Sequence, residues 1–440
     1  MNITIVDQLD PKHYVNRDQM GGLGIGSLRS KSLFAAIIGR MKRSSICVPN
    51  MVNHQVAACA KANGHRVTIA CDLAGISREA DVIVIPNSMV ACNAECKFAL
   101  QARRDFPSAK IVFMGMFGTI YPEKFLPYAD AVVAGEPEAY FLRLKTQAGI
   151  GAGLVKSERI EDLDSLPAPD WKSFDIGRYQ YRPMLQKYPM VTMVTSKSCV
   201  YSCAYCPYPL SYGNFRKRSV DRVVEEMIAL KVTLGVRSIV FRDPLFTFSK
   251  KRSAELFTKM IEAKVNMQWV CETRFDHLDE DLVALGAKAG LKGINVGVEA
   301  GNLDVLASVN RKIISADHQK KMVDCMRKNN VWVTAFYILG HNSDTEGTME
   351  QTLRFAQHLN TPVAQFTVNT PIPHAPEFKA AQDNLLSSDP EDYTFFNPVL
   401  KTAHLLPEQI AKKLNTCLAR YYLRPGYFAA NAKYFILGRP

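Results

Sequence analysis

The residues with the clearest chemical potential are three cysteines in Ser198-Cys199-Val-Tyr-Ser-Cys203-Ala-Tyr-Cys206-Pro207-Tyr208. Spacings of four and three on one short loop present three sulfurs to three corners of a cube. An iron–sulfur cluster normally takes four cysteine ligands. No fourth cysteine lies nearby in sequence, so one iron would stay open for a ligand that is not protein. Zinc would need a fourth Cys or His close by, and the nearest His is far away. The blandest alternative is three cysteines packed as small apolar side chains. Cys92 and Cys96 are four apart on one face of a predicted helix, which suits either a metal or two buried thiols. Cys47, Cys59, Cys71, Cys271, Cys325 and Cys417 have no ligand spacing and read as core. His341 and His374 fall just beyond predicted strands, where either could face a substrate. Pro373 and Pro376 would hold His374 stiffly.

The elements that must position these residues are βα units. In 1–150, strands are predicted at 2–6, 66–71, 81–85, 110–114 and 131–134, with helices at 55–63 and 92–106. The run 81–85 is continuously apolar, as in a strand buried on both faces. Such alternation implies an open parallel sheet covered by helices, a Rossmann-like domain. The Gly-, Ser- and Arg/Lys-rich stretch 16–43 breaks the alternation and reads as a loop or insertion. Residues 151–189, with Leu166-Pro-Ala-Pro-Asp-Trp171, read as a linker. From 190 to 389, strands are predicted at 190–195, 238–242, 268–271, 293–298, 332–338 and 364–368. Helices at 221–234, 253–263, 280–289, 316–329 and 348–359 join them. Six βα units make a partial (β/α)6 barrel, whose site lies at the carboxyl ends of the strands. Residues 390–440 form a short, aromatic-rich and less regular C-terminal region. The fold class is therefore α/β, an open sheet followed by a partial barrel.

Composition narrows the function. The chain has 440 residues with 47% hydrophobic side chains, an ordinary globular balance that excludes wholesale disorder. Fifty-four Lys and Arg against forty-two Asp and Glu give +12, but no run of like charge marks a nucleic-acid tail. No apolar stretch is long enough to span a membrane, and the N-terminus lacks the features of a signal peptide. Eleven cysteines then indicate a reducing, cytoplasmic setting.

Cys199-x3-Cys203-x2-Cys206, with Tyr205 before the last cysteine, resembles the signature of the radical S-adenosylmethionine (SAM) superfamily. Further segments resemble it in order: Phe241-Arg-Asp243-Pro-Leu-Phe-Thr247, Trp269-Val-Cys-Glu272-Thr-Arg274, Gly297-Val-Glu299-Ala-Gly301, Tyr337-Ile-Leu-Gly340 and Thr370-Pro371-Ile-Pro373. The resemblance implies a [4Fe–4S] cluster on Cys199, Cys203 and Cys206, with SAM chelating the open iron. It implies an electron donor such as flavodoxin or ferredoxin. It places Tyr205 and Gly340 near adenine, Asp243 at the SAM amino group, Arg274 at the carboxylate, and Glu299 at the ribose or amino-acid part.

The first domain resembles the cobalamin-binding domain that precedes the barrel in one branch of this superfamily. The residues are Gly64-His-Arg-Val, Asp81-Val-Ile-Val-Ile-Pro-Asn87-Ser88, Phe113-Met-Gly115-Met-Phe-Gly118-Thr119 and Ala134-Gly135-Glu136-Pro137-Glu138. The resemblance implies cobalamin contacts from Asn87, Ser88, Gly115, Thr119, Gly135 and Glu136. The chain departs from that pattern in lacking an Asp-x-His-x-x-Gly segment, and Met114, Met116 and Phe117 narrow the expected corrin space. The expected activity is methyl transfer to a small-molecule intermediate. The alternatives are cobalamin-independent transfer of the 3-amino-3-carboxypropyl group of SAM, and radical ring formation or rearrangement. A redox sensor or a scaffold without catalysis fits less well with the intact triad and the SAM-side segments, and a tRNA-modifying methylthiotransferase would be expected to carry a second cluster domain and a small C-terminal β domain, neither of which is seen.

Overall fold

A computed structural model describes residues 1–7, 22–26 and 32–436. Two parallel sheets account for the strands that matter. The first contains β1 (Asn2–Val6), β2 (Arg66–Ala70), β3 (Val82–Pro86), β4 (Lys110–Met114), β5 (Ala131–Ala134) and β6 (Gly153–Lys156). Its order is β2-β1-β3-β4-β5-β6, and every pairing is parallel. The strand order reverses between β1 and β3. Open α/β sheets bind ligands outside the carboxyl ends of their strands, near such a reversal. Central β3 is buried at all five positions, which explains its unbroken apolar run.

The second sheet contains β7 (Met190–Met193), β8 (Ser238–Phe241), β9 (Gln268–Thr273), β10 (Leu291–Glu299), β11 (Trp332–Leu339) and β12 (Val363–Val368). These run side by side in chain order, all parallel, with β7 and β12 as the two edges. The result is an open six-stranded barrel wall backed by the helices Val220–Leu234, Lys250–Glu262, Glu280–Lys288, Ala316–Lys328 and Glu346–Leu359. Several of those helices start on side-chain caps, for example Ser219 on Arg222 N and Asp279 on Leu282 N.

Three stretches differ from the expectation drawn from sequence. Within 16–43, the structure forms the helix Leu33–Ser45, with Ala35 buried, while much of that stretch lies outside the described residues. The Gly- and Arg-rich flanks hide its short apolar period. The linker contains β6, an edge strand with alternating exposure that resembles a loop in composition. The next part of the linker is a strap on the first domain, and its later residues turn to the barrel, where Gln186 N donates to Gln268 Oε1 at 2.9 Å. His54 stacks on Trp171 and Phe174 with centroids 3.8 and 3.6 Å apart. The C-terminal region is not irregular but holds the helices Pro407–Tyr422 and Pro425–Ile436. Their tyrosines close the approach to the edge strand β12. Tyr427 Oη donates to Pro362 O at 2.8 Å and Tyr422 Oη to Ala364 O at 3.0 Å. Covering an edge in this way removes a site for unwanted strand pairing. Among the described residues, no helix is long and apolar enough to cross a membrane.

Candidate active site

The cysteine loop leaves β7 through a pinched base. Ser196–Lys197 pairs antiparallel with Arg216–Lys217 on the far side of the loop. Asp243, just past β8, anchors the approach. Its carboxylate accepts from Thr195 N at 3.0 and 2.9 Å, from Thr195 Oγ1 at 2.8 Å and from Ser196 Oγ at 2.6 Å. It is fully buried in that network and does not line the cavity. This corrects the expectation that Asp243 meets the SAM amino group, because its oxygens are committed to the loop base. The loop itself is pinned from two sides. Ala204 N donates to Val309 O at 2.9 Å, Glu377 N to Ala204 O at 3.0 Å, and Asn310 Nδ2 to Ser202 O at 3.0 Å.

Cys199, Cys203 and Cys206 line one cavity at the carboxyl ends of the barrel strands, about 1270 Å³ including its open mouth. Among the described residues, no three His, Cys, Asp or Glu side chains are grouped closely enough for a single ion. A cubane makes a different demand, since it takes its sulfurs at separate corners. Burial raises the Cys199 thiol and pushes that of Cys206 up to about 12. Iron ligation would supply the charge that removes those protons. Arg311 Nη1 lies 3.7 Å from Cys203 Sγ and brings a cation to the loop. Sequence reasoning missed Arg311, whose only signal was a basic pair in the loop after β10. Its Nη2 also meets Glu299 Oε1 at 3.3 Å. Glu299 sits at a register break in β10 with φ +71°, so the bulge turns it into the cavity.

Arg274, just past β9, lines the same cavity. Its Nε donates to Asp276 Oδ1 at 2.9 Å and its Nη2 to Asp276 Oδ2 at 3.2 Å, while the guanidinium lies 4.2 Å from the Tyr201 ring centroid. Nη1 is buried with no partner. Tyr205 lines the cavity as well, with His341 5.9 Å from its ring centroid. His341 is buried, neither ring nitrogen has a partner, and burial lowers its pKa to about 4. Gly340, at φ +80°, faces away from the cavity. A Cβ there would lie 3.0 Å from Ile410 of the C-terminal helix. His374 is exposed and lines neither cavity described.

A second cleft, about 1220 Å³ including its mouth, opens at the carboxyl edge of the first sheet. Asn87, Gly115, Gly135 and Glu136 line it; Ser88 and Thr119 do not. Ser88 is turned to Glu95, its Oγ donating at 2.8 Å, and Thr119 Oγ1 ties Gly135 N to Gly115 O. Asn87 accepts from Gly118 N at 2.7 Å, and its Nδ2 is buried without a partner. Gly115 is required at φ +138°, where a Cβ would meet Asn87 at 2.9 Å. Glu136 is spent on Arg216 and Lys197. Phe117 is turned into the core, while Met114 and Met116 line the cleft and narrow it. Cys92 and Cys96 are buried thiols, and Cys96 Sγ donates to Lys124 O at 3.6 Å. The two cavities share Tyr208, Arg242 and Pro244 as a common wall.

Residues 193–356 match the radical SAM superfamily model. That segment is a radical SAM domain. An uncharacterized methyltransferase of Pyrococcus horikoshii is 28% identical over 338 residues, 72% of each chain. The anaerobic magnesium-protoporphyrin IX monomethyl ester cyclase of Rubrivivax gelatinosus is 25% identical over 79% of this chain and 68% of its own. Among solved structures, the radical SAM methyltransferase TsrM from Kitasatospora setae, with cobalamin and a [4Fe–4S] cluster bound, superposes with a TM-score of 0.66. That match covers 94% of this chain and 90% of TsrM at 15% identity, and so shows a shared fold. The chain therefore has the fold class expected from its sequence, an open parallel sheet followed by a partial barrel.

Proposed function

We propose that this radical SAM enzyme is a cobalamin-dependent methyltransferase acting on a small molecule. The supporting observation is the common wall. A cleft at the carboxyl edge of the first sheet abuts the cysteine-lined cavity at Tyr208, Arg242 and Pro244. One substrate at that wall would be within reach of both. When bound, the cluster and SAM supply a radical and cobalamin carries a methyl group.

The chain's own residues bind and orient. Cys199, Cys203 and Cys206 would hold the cluster, and Arg311 offsets charge at Cys203. The unpartnered Nη1 of Arg274 would donate to the SAM carboxylate, with Asp276 fixing the plane of the fork. Glu299 and Tyr205 would bracket the rest of SAM. Around the second cleft, Asn87 Nδ2 would donate to cobalamin, and Gly115 and Gly135 keep backbone close to it. His341 would exclude water behind Tyr205.

Anaerobic reconstitution with and without cobalamin tests the reading. A bound corrin brings visible bands distinct from the cluster absorbance. A reduced reaction should then yield 5′-deoxyadenosine and S-adenosylhomocysteine. Formation of 5′-methylthioadenosine in step with product, without cobalamin, would instead establish 3-amino-3-carboxypropyl transfer and overturn the proposal.

A further inference from the structure

Below the SAM end of the cavity, the barrel carries a polar layer that the functions assigned above do not use. Glu272 of β9 and Asn295 of β10 are register partners, so their side chains share one face of the sheet. Both line the cavity, beside Arg242, Phe336 and Ile338. Asn295 stands four residues before Glu299 on the same strand, and its partner Glu272 stands two residues before Arg274, roughly 7 Å deeper than that arginine at the usual rise of a strand. That depth puts Asn295 below the groups proposed to hold SAM. Its Nδ2 donates to Tyr181 Oη at 2.9 Å, while its Oδ1 is buried and has no partner, on a residue only 4% exposed. An acceptor left unpaired at that depth costs free energy unless a ligand supplies the donor.

The charges narrow the ligand. Arg242 is paired with Glu272 at 2.5 Å, Arg274 with Asp276 at 2.9 Å, and Arg311 with Glu299 at 3.3 Å. Each arginine facing the cavity already has its carboxylate. The floor therefore offers a hydrogen-bond acceptor with no uncompensated charge beside it, next to the apolar Phe336 and Ile338.

We infer that Asn295 Oδ1 is a substrate-recognition group, accepting from a neutral N–H on a substrate with an otherwise apolar body. This rests on the reading that SAM occupies the upper cavity, but not on whether a methyl group is transferred. A neutral N–H satisfies the orphaned oxygen without bringing a second charge to the Arg242–Glu272 pair. An ammonium would add a cation beside Arg242, and a carboxylate would add an anion beside Glu272.

The test uses ligand twins that differ by one donor: 3-methylindole against 1,3-dimethylindole, and acetanilide against N-methylacetanilide. Each is titrated by ligand-observed NMR into anaerobic, cluster-loaded protein with SAM, with and without cobalamin. The N–H member should bind roughly five- to tenfold more tightly, the factor for one ordinary hydrogen bond. The preference should vanish in Asn295→Leu and persist in Asn295→Asp, which keeps an acceptor. Iron content and SAM affinity should be unchanged in both variants. Equal binding of both pairs, no binding by either N–H member, or a preference that survives Asn295→Leu would overturn the inference. Loss of cobalamin binding with the preference intact would instead overturn only the proposed methyl transfer.

Discussion

Arg274 shows how a side chain can serve structure and ligand together. Two of its nitrogens are spent on Asp276, and the third, Nη1, is buried and free. Arg274→Lys keeps the charge and loses the fork. It should weaken SAM binding by about 1.5–3 kcal/mol, the range for a hydrogen bond to a charged group. Titration of SAM into folded, cluster-loaded variant checks this, and unchanged affinity would remove Arg274 from the site. His54 makes a different prediction. Burial between Trp171 and Phe174 lowers its pKa to about 3 from an ordinary 6.5. The folded state therefore holds it neutral while the unfolded state protonates below pH 6.5. Its contribution is fully present above that value and is lost as pH falls toward 3. The melting temperature of the apoprotein should drop between pH 7 and 4, and His54→Phe should flatten that slope. An identical slope in the variant would assign the acid sensitivity to other groups.

At the scale of elements, the ends of the parallel strands carry the constraints. After β5 the chain turns at Gly135 with φ +100°, and a Cβ there would sit 2.5 Å from the backbone oxygen of Ser157. Both the dihedral and the contact oppose any side chain. Gly135→Ala should cost roughly 1–3 kcal/mol, as a strained left-handed residue does, and thermal unfolding reads it directly. A melting temperature within error of the parent would show that β5 and β6 can shift apart at no cost. The barrel makes a related use of geometry. The β10 register break that gives Glu299 a φ of +71° also carries it toward Arg311.

At the scale of the whole molecule, the two domains are joined by buried charge. Lys197, at the base of the cysteine loop, meets Glu138 at 2.7 Å and Glu136 at 3.6 Å, and Arg216 closes the set on Glu136. Glu136 and Glu138 belong to the first domain and Lys197 and Arg216 to the barrel. Lys197→Met leaves a buried carboxylate without its partner and should destabilise the protein by about 3–5 kcal/mol. Because Lys197 is two residues from Cys199, the variant should also lose iron more readily to a chelator. Parental iron loss with a lowered melting point would confine the pair to domain docking.

The sequence by itself determined the architecture and singled out the cysteine loop. Ile83, Val84 and Ile85 lie in an apolar run that reads as a buried strand wherever it is met. The cysteine spacing is local, so no long-range contact was needed to see it. The tertiary structure decided which polar residues face the cavities. Asp243 follows a barrel strand just as Arg274 does. Yet the loop base at Thr195 and Ser196 consumes Asp243, while Arg274 keeps one nitrogen free. Gly340 was placed by a helix seventy residues later in the chain, through Ile410. Arg311 gave only the weak signal of a basic pair and Asn295 gave none, because a loop arginine and an asparagine inside a strand acquire a role only from their neighbours. Periodicity reports which face of an element is buried. Whether a buried polar atom already has a partner depends on contacts between distant segments, and those exist only once the chain has folded.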